Sequence, residues 1–224
     1  MTARFPGDLP LTAFSRLCRQ ARFPAVLALA ALLLSGCVLP AGGPAADYHR
    51  RPVTPGKVVV AAPSGYCIEP ASVVERADTA LVLLGRCAGA ETRGPAVLTA
   101  SVGAAGSASG LDIVSGGQEL AAFFRSERGR AALSRRGRAG DVTLHQAVGI
   151  PGAFLLRFDD KGAKAAAMQP ESWRAILTLR GRLVSLSVSG IAGQPGLGRT
   201  ESRALLEAFV TAVRRANPGA AVTQ

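Results

Sequence analysis

The stretch SWRAILTLRGRLVSLSVS, residues 172–189, alternates between apolar and polar side chains on both sides of a glycine. Alternation with a period of two is typical of strands that bury one face, and a glycine between two such runs is typical of a tight turn. We therefore predict a hairpin of strands 172–179 and 182–189. Its apolar side is expected to carry Trp173, Ala175, Leu177, Leu179, Leu183, Leu186 and Val188.

Further strand and helix signals lie along the rest of the chain. Short apolar or β-branched runs predict more strands, at 58–61, 80–87, 96–102, 142–147 and 154–158. Apolar residues at helical spacing predict helices at 118–134 and 199–216, and a loop is expected at 159–169. Because short turns join the strands, we predict an α+β fold in which helices pack on an antiparallel sheet, as an α/β/α-like sandwich.

The predicted order of strands and helices resembles that of a known protein family. Strands, a helix, four strands and a final helix, with the turn PSGY at 63–66 after the first strand, resemble the PsbP-like sandwich of small exported lipoproteins. The resemblance spans residues 57–217 and depends on element order, not on a motif. It implies one α+β domain that ends with its last helix.

The N-terminal region carries an export signal. Residues 25–34, AVLALAALLL, form an apolar run that follows Arg16, Arg19 and Arg22. A membrane-spanning helix needs about 20 apolar residues, whereas a run of about 10 after positive charges is typical of a signal peptide. An ordinary secretory signal and an uncleaved anchor are the alternatives to the more specific interpretation that follows.

The residues after the apolar run, LSGC at 34–37, resemble the lipobox of bacterial lipoproteins. The resemblance implies cleavage between Gly36 and Cys37, a diacylglycerol on the Cys37 thiol and a further acyl chain, such as palmitate, on the new amino group. Val38 stands where an Asp would favour the inner membrane. The expected location is therefore the outer membrane, facing the periplasm, with the lipid bilayer as partner through Cys37.

The expected domain organisation follows from these signals. Residues 1–36 are the signal peptide, and residues 37–56 are the lipidated N-terminus and a flexible tether rich in Pro and Gly. Residues 57–217 form a single α+β domain, and 218–224 are a C-terminal tail. His49 falls in the tether and is expected to be solvated.

Two cysteines remain in the expected domain. Cys67 and Cys87 are 20 residues apart, and two thiols in an oxidising compartment usually pair. Closing a loop of that length stabilises the fold by roughly 3 kcal/mol. A metal site or a redox pair is the alternative, but no histidine is near either cysteine in the sequence. We therefore predict a disulfide and no metal site.

One glycine-rich segment is similar to a phosphate-binding loop. Residues 193–200, GQPGLGRT, resemble GxxxxGK[ST], but Arg199 replaces the lysine and few residues follow. We expect a plain connection in which Thr200 caps the last helix and Glu201 lies near its positive end. ATP hydrolysis is rejected.

The remaining catalytic and metal-binding candidates are isolated. His145 is the only histidine of the expected domain, with Asp141 or Asp112 as a possible acid–base partner, and GSASG at 106–110 has Ala108 in the nucleophile position. Asp159 and Asp160 lack a third carboxylate for calcium and are expected to be solvated turn residues. We therefore expect no catalytic residue, no cofactor, no metal and no enzymatic activity.

The positive charge is spread along the chain. The net charge is +11, and the densest run, 125–138, contains six arginines. Lipid headgroups are one partner for such a run, but a solvated helix face is favoured, and no nucleic-acid partner is expected. The predicted function is a non-catalytic envelope lipoprotein that binds an envelope protein or supports envelope structure. The alternative is a lipoprotein with a small-ligand pocket between sheet and helices.

Overall fold

The computed structural model describes residues 47–54, 57–113 and 116–219. Its strands are β1 Arg50–Val53, β2 Val58–Ala61, β3 Tyr66–Ile68, β4 Val74–Arg76, β5 Thr79–Arg86, β6 Ala96–Val102, β7 Val142–Ile150, β8 Ala153–Asp160, β9 Met168–Leu179 and β10 Arg182–Ile191. Its α-helices are α1 Gly117–Arg125, α2 Glu127–Leu133 and α3 Arg199–Ala216. Short 3₁₀ turns lie at Pro70–Ser72, Ala139–Asp141 and Lys161–Ala166. The class is mixed α+β, as predicted.

Eight strands form the main sheet, and the pairs within it are antiparallel. Their order is β3-β5-β6-β10-β9-β8-β7, and β4 also pairs with β5. The predicted hairpin forms the middle of this sheet as β9 and β10, which turn at Arg180 and Gly181. Both turn residues have positive φ, 51° and 72°, which is the type I′ geometry that matches strand twist.

One face of the sheet carries the larger apolar cluster. Trp173, Ala175, Leu177 and Leu179 of β9 belong to it, as predicted. The predicted position of Leu183 is wrong: Val184 lies opposite Leu177, so Val184 shares that face and Leu183 packs against the other cluster. The cluster also includes four residues of α3: Leu206, Phe209, Val210 and Val213.

The opposite face carries a second apolar cluster. Phe154, Leu156 and Phe158 of β8 belong to it, whereas Ala153 and Leu155 belong to the first. Successive residues of a strand point to opposite faces, so β8 is apolar on both sides. This is why Ala153 to Leu156 form a continuous apolar run in the sequence. The residues of α1 and α2 in this second cluster are Leu120, Ala121, Phe124 and Leu133.

The single helix predicted at 118–134 is two helices in the structure. Ser126 adopts an extended conformation, with φ −67° and ψ 163°, and its Oγ accepts a hydrogen bond from the Gly129 N–H. Serine competes with helical hydrogen bonds in this way and is favoured as an N-cap. The helix therefore ends at Arg125 and a new one begins at Glu127.

Part of the segment expected to be tether belongs to the fold. Arg50–Val53 pairs with β2, and Val53 is buried. Val53 and β2 contribute to the first cluster, so the burial of this strand opposes the expectation of a flexible segment up to residue 56. Residues 1–46 and 220–224, which include the expected signal peptide, Cys37 and most of the C-terminal tail, lie outside the described residues.

Two predicted boundaries also move. β8 continues to Asp160, and β9 begins at Met168, so the loop expected at 159–169 contains strand residues at both ends. A 3₁₀ turn, Lys161–Ala166, joins the two strands. Ala167 has a positive φ of 56° directly before β9, which allows the chain to reverse over few residues.

Candidate functional sites

Cys67 and Cys87 form a disulfide at one edge of the sheet. Their sulfur atoms are 2.02 Å apart, in agreement with the predicted pair. Cys67 lies in β3 opposite Gly85 of β5, and the Cys87 N–H donates to the Gly65 carbonyl over 3.0 Å. The bond therefore links the short edge strand β3 to the chain just beyond β5.

His49 lies beside this disulfide, which the sequence did not predict. Its ring nitrogen and the two sulfur atoms all lie within 4.8 Å of one another. The Ala62 N–H donates to the His49 carbonyl over 2.8 Å, and the Ile68 N–H donates to the Tyr48 carbonyl over 2.6 Å. These main-chain bonds hold His49 in the folded domain. We call His49, Cys67 and Cys87 the disulfide corner.

The arginine run forms a second candidate site on α1, α2 and the turn that follows. Arg130 is half-buried, and its guanidinium donates to the Arg125 carbonyl. The Arg136 Nε donates to the Asp141 Oδ2 over 2.9 Å, and this bond lowers the pKa of Asp141. We call the other, exposed arginines together with Phe123, which is 40% exposed, the basic surface. Those arginines are Arg125, Arg128, Arg135 and Arg138.

A desolvated cation, Arg174 of β9, lies next to α2. Its guanidinium stands over the Phe158 ring, 5.3 Å from the centroid, and donates to the Ala132 carbonyl over 3.4 Å. Its Nε has no hydrogen-bond partner. Burial, and secondarily the charge of Arg135, lower the pKa of Arg174 to about 10. The basic surface is thus adjoined by a positive charge that is poorly compensated.

His145, the candidate acid–base residue, pairs with a different carboxylate from the two expected. Its Nε2 lies 2.9 Å from the Asp159 Oδ2, where β7 departs from regular register between Leu144 and Gln146. Asp141 is engaged by Arg136 instead. His145 is exposed, as predicted, on the surface of the β7–β8 pair.

Asp160 has a structural role and is not the solvated turn residue that was expected. It is 1% exposed. Two hydrogen bonds compensate this burial: its Oδ2 accepts from the Arg135 N–H over 2.7 Å and its Oδ1 accepts from the Gly162 N–H over 2.9 Å. A buried carboxylate held by two backbone donors anchors both neighbouring loops. Asp159, in contrast, is partly exposed beside His145.

The glycine-rich segment 193–200 leads into α3 as a connection, but its predicted cap is wrong. Gly198 is the N-cap residue and makes no side-chain hydrogen bond, while Thr200 is already inside the helix. Glu201 lies in the first turn, as expected. In GSASG at 106–110, the segment compared with a nucleophile elbow, the Ser107 Oγ accepts from the Leu183 N–H over 2.9 Å and so fastens this loop to β10.

Comparison with known proteins found no matching family model, no similar curated protein and no matching solved structure. The resemblances to lipoproteins and to the PsbP-like sandwich therefore stay predictions. Among the residues that the structure describes, no helix has the length and apolarity needed to cross a bilayer.

Proposed function

We propose that this chain is an exported bacterial lipoprotein, held at a membrane by acyl chains on Cys37. The observation that carries the proposal is LSGC at 34–37, directly after the apolar run 25–34. Two or more acyl chains anchor a protein stably, since each buried methylene contributes about 0.8 kcal/mol. The disulfide between Cys67 and Cys87 supports export, because disulfides persist in oxidising compartments. The proposed location is the outer membrane, facing the periplasm.

The proposed architecture is an α/β/α-like sandwich of the PsbP-like kind. In its support, the sheet has an apolar cluster on each face, and helical residues belong to both. Phe209 of α3 belongs to one cluster and Phe124 of α1 to the other. Helices on the two faces of one sheet bury both of them without a second sheet.

The proposed role of the domain is non-catalytic binding of an envelope protein through the basic surface. Arginine and aromatic side chains are enriched in protein interfaces, and Phe123 supplies an exposed ring among the arginines. A shallow cleft between α2 and the turn after it is lined by two arginines, Arg128 and Arg138, and by one carboxylate, Glu127, and this excess of positive charge favours acidic side chains.

A small ligand is the second candidate partner. A cleft of about 460 Å³ lies between the β7–β8 turn and α3, with Ile150 and Val210 as apolar lining and Glu207 and Arg214 as polar lining. The cleft is open to solvent, whereas ligand sites usually enclose most of the ligand surface. The basic surface is therefore the stronger candidate.

Charge reversal tests the binding role. We expect the pair Arg128→Glu and Arg138→Glu, in the intact lipoprotein, to lose a partner that the unaltered protein captures from solubilised membranes. The matched control is the pair Arg51→Glu and Arg76→Glu, two exposed arginines outside both clefts, which should retain that partner. Equal capture by both variants would contradict a role for the basic surface.

Replacing the lipidated residue tests the anchor. We expect Cys37→Ser to lose incorporation of a labelled fatty acid and to leave the outer-membrane fraction. Cys18→Ser, which removes a cysteine of the expected leader, is the control and should be labelled like the unaltered protein. A Cys37→Ser variant that keeps its label would disprove acylation at this position.

A further inference from the structure

We propose that the disulfide corner is a redox-controlled site for a soft or borderline d¹⁰ metal cation, of which Zn²⁺ is the probe. In the oxidised chain the two sulfur atoms bond to each other. In the reduced chain the Cys67 and Cys87 thiolates and the neutral His49 imidazole provide three ligands. The site is independent of the proposed lipid anchor and of the basic surface.

The positions of the three ligand atoms carry the proposal. They lie within 4.8 Å of one another, and the Cα atoms of the two cysteines are 5.0 Å apart. With Zn–S bonds near 2.3 Å and Zn–N bonds near 2.0 Å, tetrahedral ligand atoms stand roughly 3.5 Å apart. Once the bond is broken, the two sulfur atoms can move apart to about that spacing, and the His49 nitrogen, at most 4.8 Å from either sulfur, must approach by up to about 1.3 Å, which side-chain rotation can supply.

The backbone around the ligands is fixed by bonds that do not involve the disulfide. Neither the hydrogen bond between Ala62 and His49 nor that between Ile68 and Tyr48 involves a sulfur atom. The pairing of the Tyr66–Ile68 strand with β5 is likewise made by backbone groups. Reduction is therefore expected to free the thiols without moving the histidine away.

The corner contains a potential ligand that the disulfide itself does not use. A disulfide needs no histidine, yet one of the two histidines of the chain lies beside this pair. The histidine is exposed and the cysteines are half-buried, so an ion reaches them from solvent. Two thiolates and one imidazole are a ligand set typical of Zn²⁺ and Cu⁺, with a fourth position left for water or another ligand.

The chemistry balances with a thiol reductant. A dithiol gives two electrons and two protons to the Cys67–Cys87 bond, which breaks to two thiols while the dithiol closes to its own disulfide. Zn²⁺ then displaces the two thiol protons, and His49 supplies a lone pair from its neutral ring. A small-molecule disulfide reverses the sequence: it takes two electrons from the thiolates and two protons from water to become two thiols, while Zn²⁺ is released and the Cys67–Cys87 bond re-forms.

The test uses the full chain in detergent with Cys18→Ser and Cys37→Ser, so that Cys67 and Cys87 are the only cysteines. The chain is reduced with dithiothreitol, desalted without oxygen and titrated with Zn²⁺, alongside an oxidised sample. We expect one Zn²⁺ per reduced chain and none per oxidised chain. Failure of Cys37 acylation would leave this result unchanged, so the two proposals fail separately.

Two histidine variants decide whether the site is the one described. We expect His49→Ala to weaken Zn²⁺ binding by at least about 10-fold, because second-shell changes alone commonly cost that much. His145→Ala, which removes the other histidine, should bind like the parent chain. Equal binding by the His49→Ala variant and the parent would overturn the proposal, as would no binding by the reduced parent. A reduced chain whose circular dichroism shows unfolding that Zn²⁺ does not reverse would also overturn it.

Discussion

Asn217, the residue after α3, makes the contact that joins the last helix to the first hairpin. Its Oδ1 accepts from the Val59 N–H over 2.9 Å, and its Nδ2 donates to the Val59 and Val213 carbonyls over 2.8 and 2.7 Å. Asn217 is 3% exposed, so water does not replace these bonds. In the sequence, Asn217-Pro218-Gly219 indicates only where the helix ends.

Replacing Asn217 with Ala is expected to destabilise the fold by about 2 kcal/mol or more, because Val59 loses partners for both of its backbone polar groups. The measurement is urea unfolding followed by circular dichroism, and the slope of the unfolding free energy against urea concentration should not change. Gln194→Ala, at an exposed position, is the control and should change stability by less than about 0.5 kcal/mol. Equal unfolding midpoints for both variants would contradict the role assigned to Asn217.

Asp78 gives the fold a dependence on pH. Its Oδ1 accepts from the nearly buried Arg182 over 2.6 Å, and its Oδ2 accepts from the Ala105 N–H over 2.7 Å. The bond from Arg182 lowers the pKa of Asp78 below its ordinary value of 3.8. A carboxyl with a lowered pKa stabilises the folded state above its unfolded-state pKa, and this stabilisation is lost as the pH falls through the folded-state value.

We therefore expect the melting temperature to fall on acidification below about pH 4 and to fall less steeply in Asp78→Asn. Arg136 also lowers the pKa of Asp141, which therefore acts in the same direction. In the double variant Asp78→Asn with Asp141→Asn, the melting temperature should depend on pH still less. Melting curves between about pH 2 and pH 6 provide the measurement. An Asp78→Asn variant with the same acid dependence as the unaltered chain would contradict this role.

At the scale of elements, the break between α1 and α2 depends on a close approach of two backbones. A Cβ built on Gly129 would lie 2.0 Å from the Phe123 carbonyl oxygen, which belongs to the backbone of α1. Glycine is therefore required here by contact, although it is a poor helix former. The Ser126 N-cap sets the position at which α2 begins.

Two glycine substitutions in these helices are expected to have opposite effects. Gly129→Ala should destabilise the fold by about 1–3 kcal/mol, since the backbone must shift to admit the methyl group. Gly117→Ala is the matched control: a Cβ there meets nothing within 4 Å, so higher helix propensity should stabilise by about 0.5–1 kcal/mol. Denaturant unfolding measures both. A neutral Gly129→Ala would show that the two backbones do not constrain each other.

The elements with strong periodicity were predictable, and those set by a local side-chain bond were not. The bounds of α3, β2 and β6 match the predicted 199–216, 58–61 and 96–102, because each has a clear apolar pattern. The helix break at Ser126 was missed because the apolar pattern of 118–134 continues through it. Leu183 was placed on the wrong face because the register depends on the two-residue turn at Arg180 and Gly181.

At the scale of the whole molecule, the disulfide was predictable and the disulfide corner was not. Export and two remaining cysteines were enough to pair Cys67 with Cys87. The sequence places His49 in a tether, because the pairing of β1 with β2, which brings His49 into the domain, leaves no clear local pattern. The sequence carries only a weak indication of this hairpin. RRPV at 50–53 is followed by Pro55-Gly56, residue types common in turns, and then by the β-branched run at 58–60. By alternation Arg174 falls on the polar side of the predicted hairpin, and its contact with the Ala132 carbonyl, 42 residues earlier in the chain, could not be predicted from the local pattern.

The mass of the first peptide of the mature protein, purified from membranes of its native host, tests the lipid anchor most directly. We predict that this peptide begins at Cys37 and carries a diacylglycerol on the thiol, with a further acyl chain on the amino group where the host adds one. A peptide that begins elsewhere, or that begins at Cys37 with a free thiol and a free amino group, would contradict the proposed lipoprotein.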